Sequence, residues 1–114
     1  MTEFVALRLV SVPRFISFLE RKPSAKRRLF TPAELEHCAR FTKAPEERLA
    51  ARFAAKCAVR SNVPGLCWTD VGIANDALGA PHIALPTTRF RVGSVSLSHD
   101  ARWAIAAVVI ESGG

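Results

Sequence analysis

From Phe4 to Val12 the chain reads FVALRLVSV, apolar and β-branched with Arg8 as its one charge, and Pro13 stops the run. That pattern predicts a buried strand, in which a central charge needs a reason. Pro13 suits the first turn of a helix, and Phe15, Ile16, Phe18 and Leu19 then recur at helical spacing up to the basic stretch RKPSAKRR. A first helix is therefore expected from Pro13 to Lys22. Thr31, followed by Pro32 and by Glu34 three residues on, forms a capping box that starts a second helix, running to about Phe41. The longest helix is expected from Pro45 to Asn62, rich in alanine and arginine, with Glu46 and Glu47 placed favourably in its first turn. Beyond Pro64 and Gly65 the runs shorten. Thr69 to Asn75, a turn through Gly79, and His82 to Leu85 read as a hairpin, and Arg91 to Leu97 and Trp103 to Glu111 read as two more strands. The sum is an α+β fold, an antiparallel sheet packed with a long helix, in a single domain spanning 1–114.

Within the long helix Arg48, Arg52, Lys56 and Arg60 stand four apart, so their side chains form one ridge. Like charges at that spacing cost roughly 0.2–0.5 kcal/mol per pair, little enough to leave two readings open: a solvated basic face or a phosphate cradle. Leu49, Phe53 and Cys57 make an apolar row beside the ridge, with Ala50, Ala54 and Ala58 permitting close approach of another element. On that row Cys57 reads as a small core residue, with only its neighbour Lys56 pointing to chemistry.

Charge narrows the partner. Sixteen lysines and arginines against ten acidic residues give a net charge of +6, which favours an anionic partner: nucleic acid, a phosphorylated cofactor or an acidic protein. Nucleic acid is the weakest of these, because no nucleic-acid motif, tyrosine or long basic tail is present. Three cysteines without a CxxC pair read as reduced thiols in a cytoplasm, and the interrupted apolar start fits neither a signal peptide nor a membrane span. At 114 residues much surface stays exposed, so a subunit interface is a natural way to bury more of it.

Four strings occur in one order along the chain: RRLFTPAEL from Arg27, LAARFAAKCA from Leu49, TDVGIANDALGAPHI from Thr69 and VSLSHD from Val95. They resemble the motifs RIFTxxEL, LAGRFAAKEA, DIEI-x-x-D-x-x-G-x-P and VSISH of the holo-acyl-carrier-protein synthases, the small 4'-phosphopantetheinyl transferases. The resemblance covers nearly the whole chain. It implies a homotrimer with its site between neighbouring protomers, coenzyme A and magnesium as cofactors, and an acyl carrier protein of fatty acid or polyketide biosynthesis as partner. It implies transfer of the phosphopantetheine arm to a carrier serine, with 3',5'-adenosine bisphosphate as leaving group. By position it assigns Arg52 and Lys56 to the pyrophosphate and His99 to the neighbourhood of the phosphates. Arg14, Arg21 and Lys22 fall where similar proteins present basic residues to the acidic recognition helix of the carrier.

Two positions depart from the pattern. Where the resemblance places the two magnesium carboxylates, an Asp on the first strand and a Glu after the signature lysine, this chain has Arg8 and Cys57. Magnesium takes hard oxygen ligands, so a guanidinium and a thiol do not replace that pair, and no metal site of the family type is expected. Arg8 would then offset phosphate charge itself, while Cys57, beside two cations, is either an inert buried thiol or an activated nucleophile. Arg8, Lys56, Cys57 and His99 are the candidates for chemistry. Three functions fit: a divergent transferase, a repurposed relative acting on the acyl or polyketide chain of a loaded carrier, and a non-catalytic binder of carrier protein or coenzyme A.

Overall fold

The computed structural model describes residues 2–41 and 43–113. In chain order it contains β1 (Thr2–Ser11), α1 (Val12–Arg21), α2 (Ala25–Leu29), α3 (Pro32–Ala39), α4 (Pro45–Arg60), a 3-10 turn (Trp68–Asp70), β2 (Gly72–Asn75), β3 (Pro81–Ala84), β4 (Phe90–His99) and β5 (Trp103–Ser112). β5 is the centre of an antiparallel sheet ordered β1-β5-β4, and β2 and β3 form a separate hairpin. The α+β class and three of the helices match the sequence reading.

The differences have local causes. Thr69 to Val71 do not extend the hairpin, because the Asp70 carboxylate accepts the Cys67 N–H at 2.8 Å and winds Trp68–Asp70 into a turn. The basic stretch after α1 carries an unanticipated helix, α2, whose Ala25 and Leu29 are buried while Lys26, Arg27 and Arg28 stay outside. Five residues are too few for a detectable period. α3 starts as read: the Thr31 hydroxyl accepts the Glu34 N–H at 3.2 Å and the Glu34 carboxylate accepts the Thr31 N–H at 2.8 Å.

α4 lies across β5 and β1. Small residues make that approach close: Ala54, Ala55 and Ala58 meet Ala106, Val108 and Ile110, all of them buried. A second cluster, built on Val12, Phe15, Leu19, Phe30 and Leu49, fills the space under α1 to α3, where Phe15 stacks on Phe53 at 5.1 Å and Phe53 on Trp68 at 5.4 Å.

β1 departs from the reading of a buried strand. Ala6 is covered by α4, but Val5, Leu7 and Leu9 are 62%, 67% and 56% exposed on the other face. Leu9 pairs with Ile105 and Ser11 with Trp103, so the same outer face continues across β5, where both partners of those pairs are also exposed apolar groups or lie beside them. A sheet face of this composition is left without a cover in the single chain.

Candidate functional site

The basic ridge of α4 divides into three environments. Lys56 belongs to the core: it is fully buried, and its ammonium donates to the Glu34 carboxylate at 2.9 Å, the Val71 carbonyl at 2.8 Å and the Trp68 carbonyl at 3.0 Å. An ammonium has three N–H bonds, and all three are used. Burial pushes the Lys56 pKa down, against the upward pull of Glu34. Lys56, expected at the phosphate, is thus placed in the core, where it ties α4 to α3 and to the segment entering β2. Glu34, which the sequence offers only as a helix cap, is the hub: its other oxygen accepts the Ile73 N–H at 3.1 Å.

Toward the N-terminus of α4, Arg48 and Arg52 open into a cavity of about 220 Å³ that they share with His37, Phe41, Asn75 and His99. Arg52 is only 5% exposed and donates to the Asn75 side chain at 2.6 Å. Asn75 is itself fixed, its amide donating to the Gly79 carbonyl at 2.9 Å in a turn where Gly79 adopts φ +86°, a conformation that glycine supplies without strain. Arg48 lies flat on Phe41, its guanidinium carbon 3.5 Å from the ring centre. Among the described residues, the Nε–H groups of both arginines are buried and have no acceptor. Such donors cost free energy unless a ligand or water takes them.

Two histidines complete the cavity. His99, at the end of β4, faces the Glu47 carboxylate at 3.1 Å through Nδ1. A carboxylate there holds the proton on Nδ1 and leaves Nε2 for the cavity. His37, on α3, titrates below its ordinary 6.5, first because it is desolvated and then because Arg52, Arg40 and Arg48 repel its charged form. Glu47 is the acidic group beside the cavity, and it is engaged by His99. The cavity thus brings together two guanidiniums, two imidazoles and two buried donors without acceptors, groups whose chemistry suits an anionic oxygen ligand. Sequence reading found Arg52 and His99 here and missed His37, Glu47 and Asn75 as site residues: His37 and Glu47 lie outside the four strings, and Asn75, inside the third, has no charge to single it out.

Toward the C-terminus of α4, Arg8 and Cys57 do meet. They line a cavity of about 240 Å³ with Arg60, Ser61 and Trp68. No carboxylate or imidazole lines it, and among the described residues no group of three or more His, Cys, Asp or Glu is placed to hold a metal ion. The residues present do not fit magnesium, which needs oxygen ligands. Cys57 is 6% exposed, and burial raises its pKa more than Arg8 and Arg60 lower it, so it is a neutral thiol rather than an activated nucleophile. This cavity and the Arg48–Arg52 cavity share no lining residue.

Arg14, Arg21 and Lys22 are exposed on and just beyond α1. No helix among the described residues is long and apolar enough to cross a membrane.

No family model matches the chain. Its sequence is 37% identical to a holo-[acyl-carrier-protein] synthase of Trichlorobacter lovleyi, over 95% of this chain and 96% of that protein. It is 42% identical to one from Frankia alni, again over 95% and 96%. Among solved structures, the Helicobacter pylori holo-[acyl-carrier-protein] synthase in complex with coenzyme A superposes with a TM-score of 0.80 at 29% identity, covering 95% of this chain and all of that one (100%). The Bacillus anthracis synthase, also in complex with coenzyme A, gives 0.80 at 26% identity over 96% of both chains. With this agreement in sequence and in fold along nearly its whole length, the chain belongs to the holo-[acyl-carrier-protein] synthase family.

Proposed function

We propose that the chain binds coenzyme A and delivers its 4'-phosphopantetheine arm to a serine of an acyl carrier protein. The observation that carries this reading is the convergence of Arg48, Arg52, His37 and His99 on one cavity in which two buried guanidinium N–H groups have no protein acceptor among the described residues. Coenzyme A, which the Helicobacter pylori and Bacillus anthracis relatives hold, carries phosphates that match this chemistry. In the transfer, the serine oxygen bonds to the β-phosphorus as that phosphorus loses its bond to the bridging oxygen. The electron pair leaves with 3',5'-adenosine bisphosphate and the serine proton passes to water. Fixed cations aimed at the phosphates stabilise the charge that develops there.

Two further parts belong to this reading. The exposed Arg14, Arg21 and Lys22 attract an acidic carrier surface, chiefly by steering. The uncovered apolar face of β1 and β5 is the seat of a second and third copy in a homotrimer. Incubation with coenzyme A and apo carrier proteins, followed by intact mass, tests the transfer. Absence of the arm's mass on every carrier overturns it.

A second reading, action on an acyl chain carried by a loaded carrier protein, is favoured by one feature. A cavity of about 700 Å³ at the β1–α1 junction is walled by Leu9, Phe15, Phe18, Phe53 and Trp103, with Arg14 alongside, and has the apolar lining that an acyl chain needs. Acylated carrier binding no more tightly than apo carrier would exclude it.

A further inference from the structure

The cavity that should hold magnesium in this family is lined here by two cations and no anion, which is a different kind of site rather than a damaged one. Arg60 is preorganised: its guanidinium carbon sits 3.9 Å above the Trp68 ring and its Nε donates to the Leu66 carbonyl at 2.9 Å. That stacking and that single bond fix the plane of the fork and leave its terminal nitrogens uncommitted. Arg8 reaches the same cavity from the edge strand β1. Among the described residues, neither arginine lies within ion-pair distance of a carboxylate. The floor between them is the neutral Cys57 thiol and Ser61, whose hydroxyl donates to the Cys57 carbonyl at 2.8 Å.

Charge bookkeeping gives the consequence. A divalent ion with two carboxylates presents a phosphate with a sum of zero from its own shell, relying on the metal's closeness. At the same two positions Arg8 and a neutral thiol present +1, and Arg60 beside them brings the cavity to +2, through donors whose planar geometry matches phosphate oxygens. We propose that Arg8 and Arg60 form a phosphate site that works without a divalent cation and takes the pyrophosphate of the coenzyme. The proposal rests on the coenzyme A reading above for the identity of the ligand, but the site's chemistry, two guanidiniums for one pyrophosphate, stands on the cavity alone.

Calorimetric titration of the full-length protein with inorganic pyrophosphate and, separately, with coenzyme A, each in EDTA and in excess magnesium, tests it. Both ligands are expected to bind in EDTA, with affinities that magnesium does not improve. Arg8→Gln, an exposed substitution that leaves the core untouched, is expected to weaken pyrophosphate binding roughly tenfold, and Arg60→Lys, which keeps the charge but loses the fork, by a smaller factor. Coenzyme A binding that disappears in EDTA overturns the proposal, as does pyrophosphate binding unchanged by Arg8→Gln. If pyrophosphate binds with the expected sensitivity and coenzyme A does not bind at all, the phosphate site stands and the coenzyme A reading falls. The double substitution Arg8→Asp with Cys57→Glu, checked for fold by circular dichroism, should convert binding to EDTA-sensitive; Arg8→Gln decides the matter if that variant does not fold.

Discussion

Replacing Lys56 with methionine removes the ammonium from a fully enclosed site while keeping most of the side chain's bulk. What remains is a Glu34 carboxylate 2% exposed, without its cation, and the Trp68 and Val71 carbonyls without their donor. Removing one partner of a buried ion pair costs about 3–5 kcal/mol, because the other charge stays desolvated. Small domains are stable by roughly 5–15 kcal/mol, so the loss is at least about a fifth of the total, and at about 4 °C per kcal/mol it lowers Tm by roughly 12–20 °C. Glu34→Gln alone should destabilise as well, since Glu34 also accepts from Thr31 and Ile73. The double variant, freed of an uncompensated charge, should lie closer to wild type than the two single losses add up to, with a coupling of about 1–3 kcal/mol. Urea or thermal unfolding followed by circular dichroism measures all four corners of the cycle. A Lys56→Met protein that keeps its stability within about 1 kcal/mol and instead loses coenzyme A affinity would refute the argument, because it would return Lys56 to the phosphates.

Other outcomes follow from the same geometry. Arg52→Ala should weaken coenzyme A by roughly ten- to a hundredfold in a calorimetric titration, since it removes a charged donor from the cavity and frees Asn75. Because the folded pKa of His37 lies below 6.5, the unfolded chain binds that proton more tightly, so its contribution to stability is complete above 6.5 and is lost as pH falls through the folded value. A bound phosphate offsets Arg48 and Arg52 and raises the His37 pKa again, so phosphate binding near pH 6 should take up protons, and His37→Gln should reduce the uptake; calorimetry in buffers of different ionisation enthalpy reads it. Leu7→Asp, in the centre of the uncovered sheet face, should give a monomer by light scattering and abolish transfer, whereas retention of the wild-type mass would remove that face from the interface. Ala44, at φ 54° and ψ 53° just before α4, is a left-handed non-glycine residue, and Ala44→Gly should raise stability by about 1 kcal/mol in urea unfolding.

Much was legible in the order of residues because it rests on local physics. The capping box at Thr31 and Glu34, Pro13 and Pro45 in first turns, and the alternation of β5 are short-range rules, and they located α1, α3, α4 and the α+β class before any contact was known. The mismatches at Arg8 and Cys57 were equally visible, since a side chain's chemistry does not depend on its surroundings. Surroundings decided the rest. Four basic residues at one spacing look identical on a helical wheel, yet packing sends Lys56 into the core against Glu34, Arg48 and Arg52 into one cavity and Arg60 into another, because α3, the β2–β3 hairpin and Trp68 cover different parts of the ridge. The His99 partnership with Glu47 joins residues 52 positions apart, and no periodicity carries such a distance. Burial, too, is a property of the assembled layers. It raised the pKa of the Cys57 thiol, left half of β1 uncovered, and gathered Arg8 and Arg60 around one cavity.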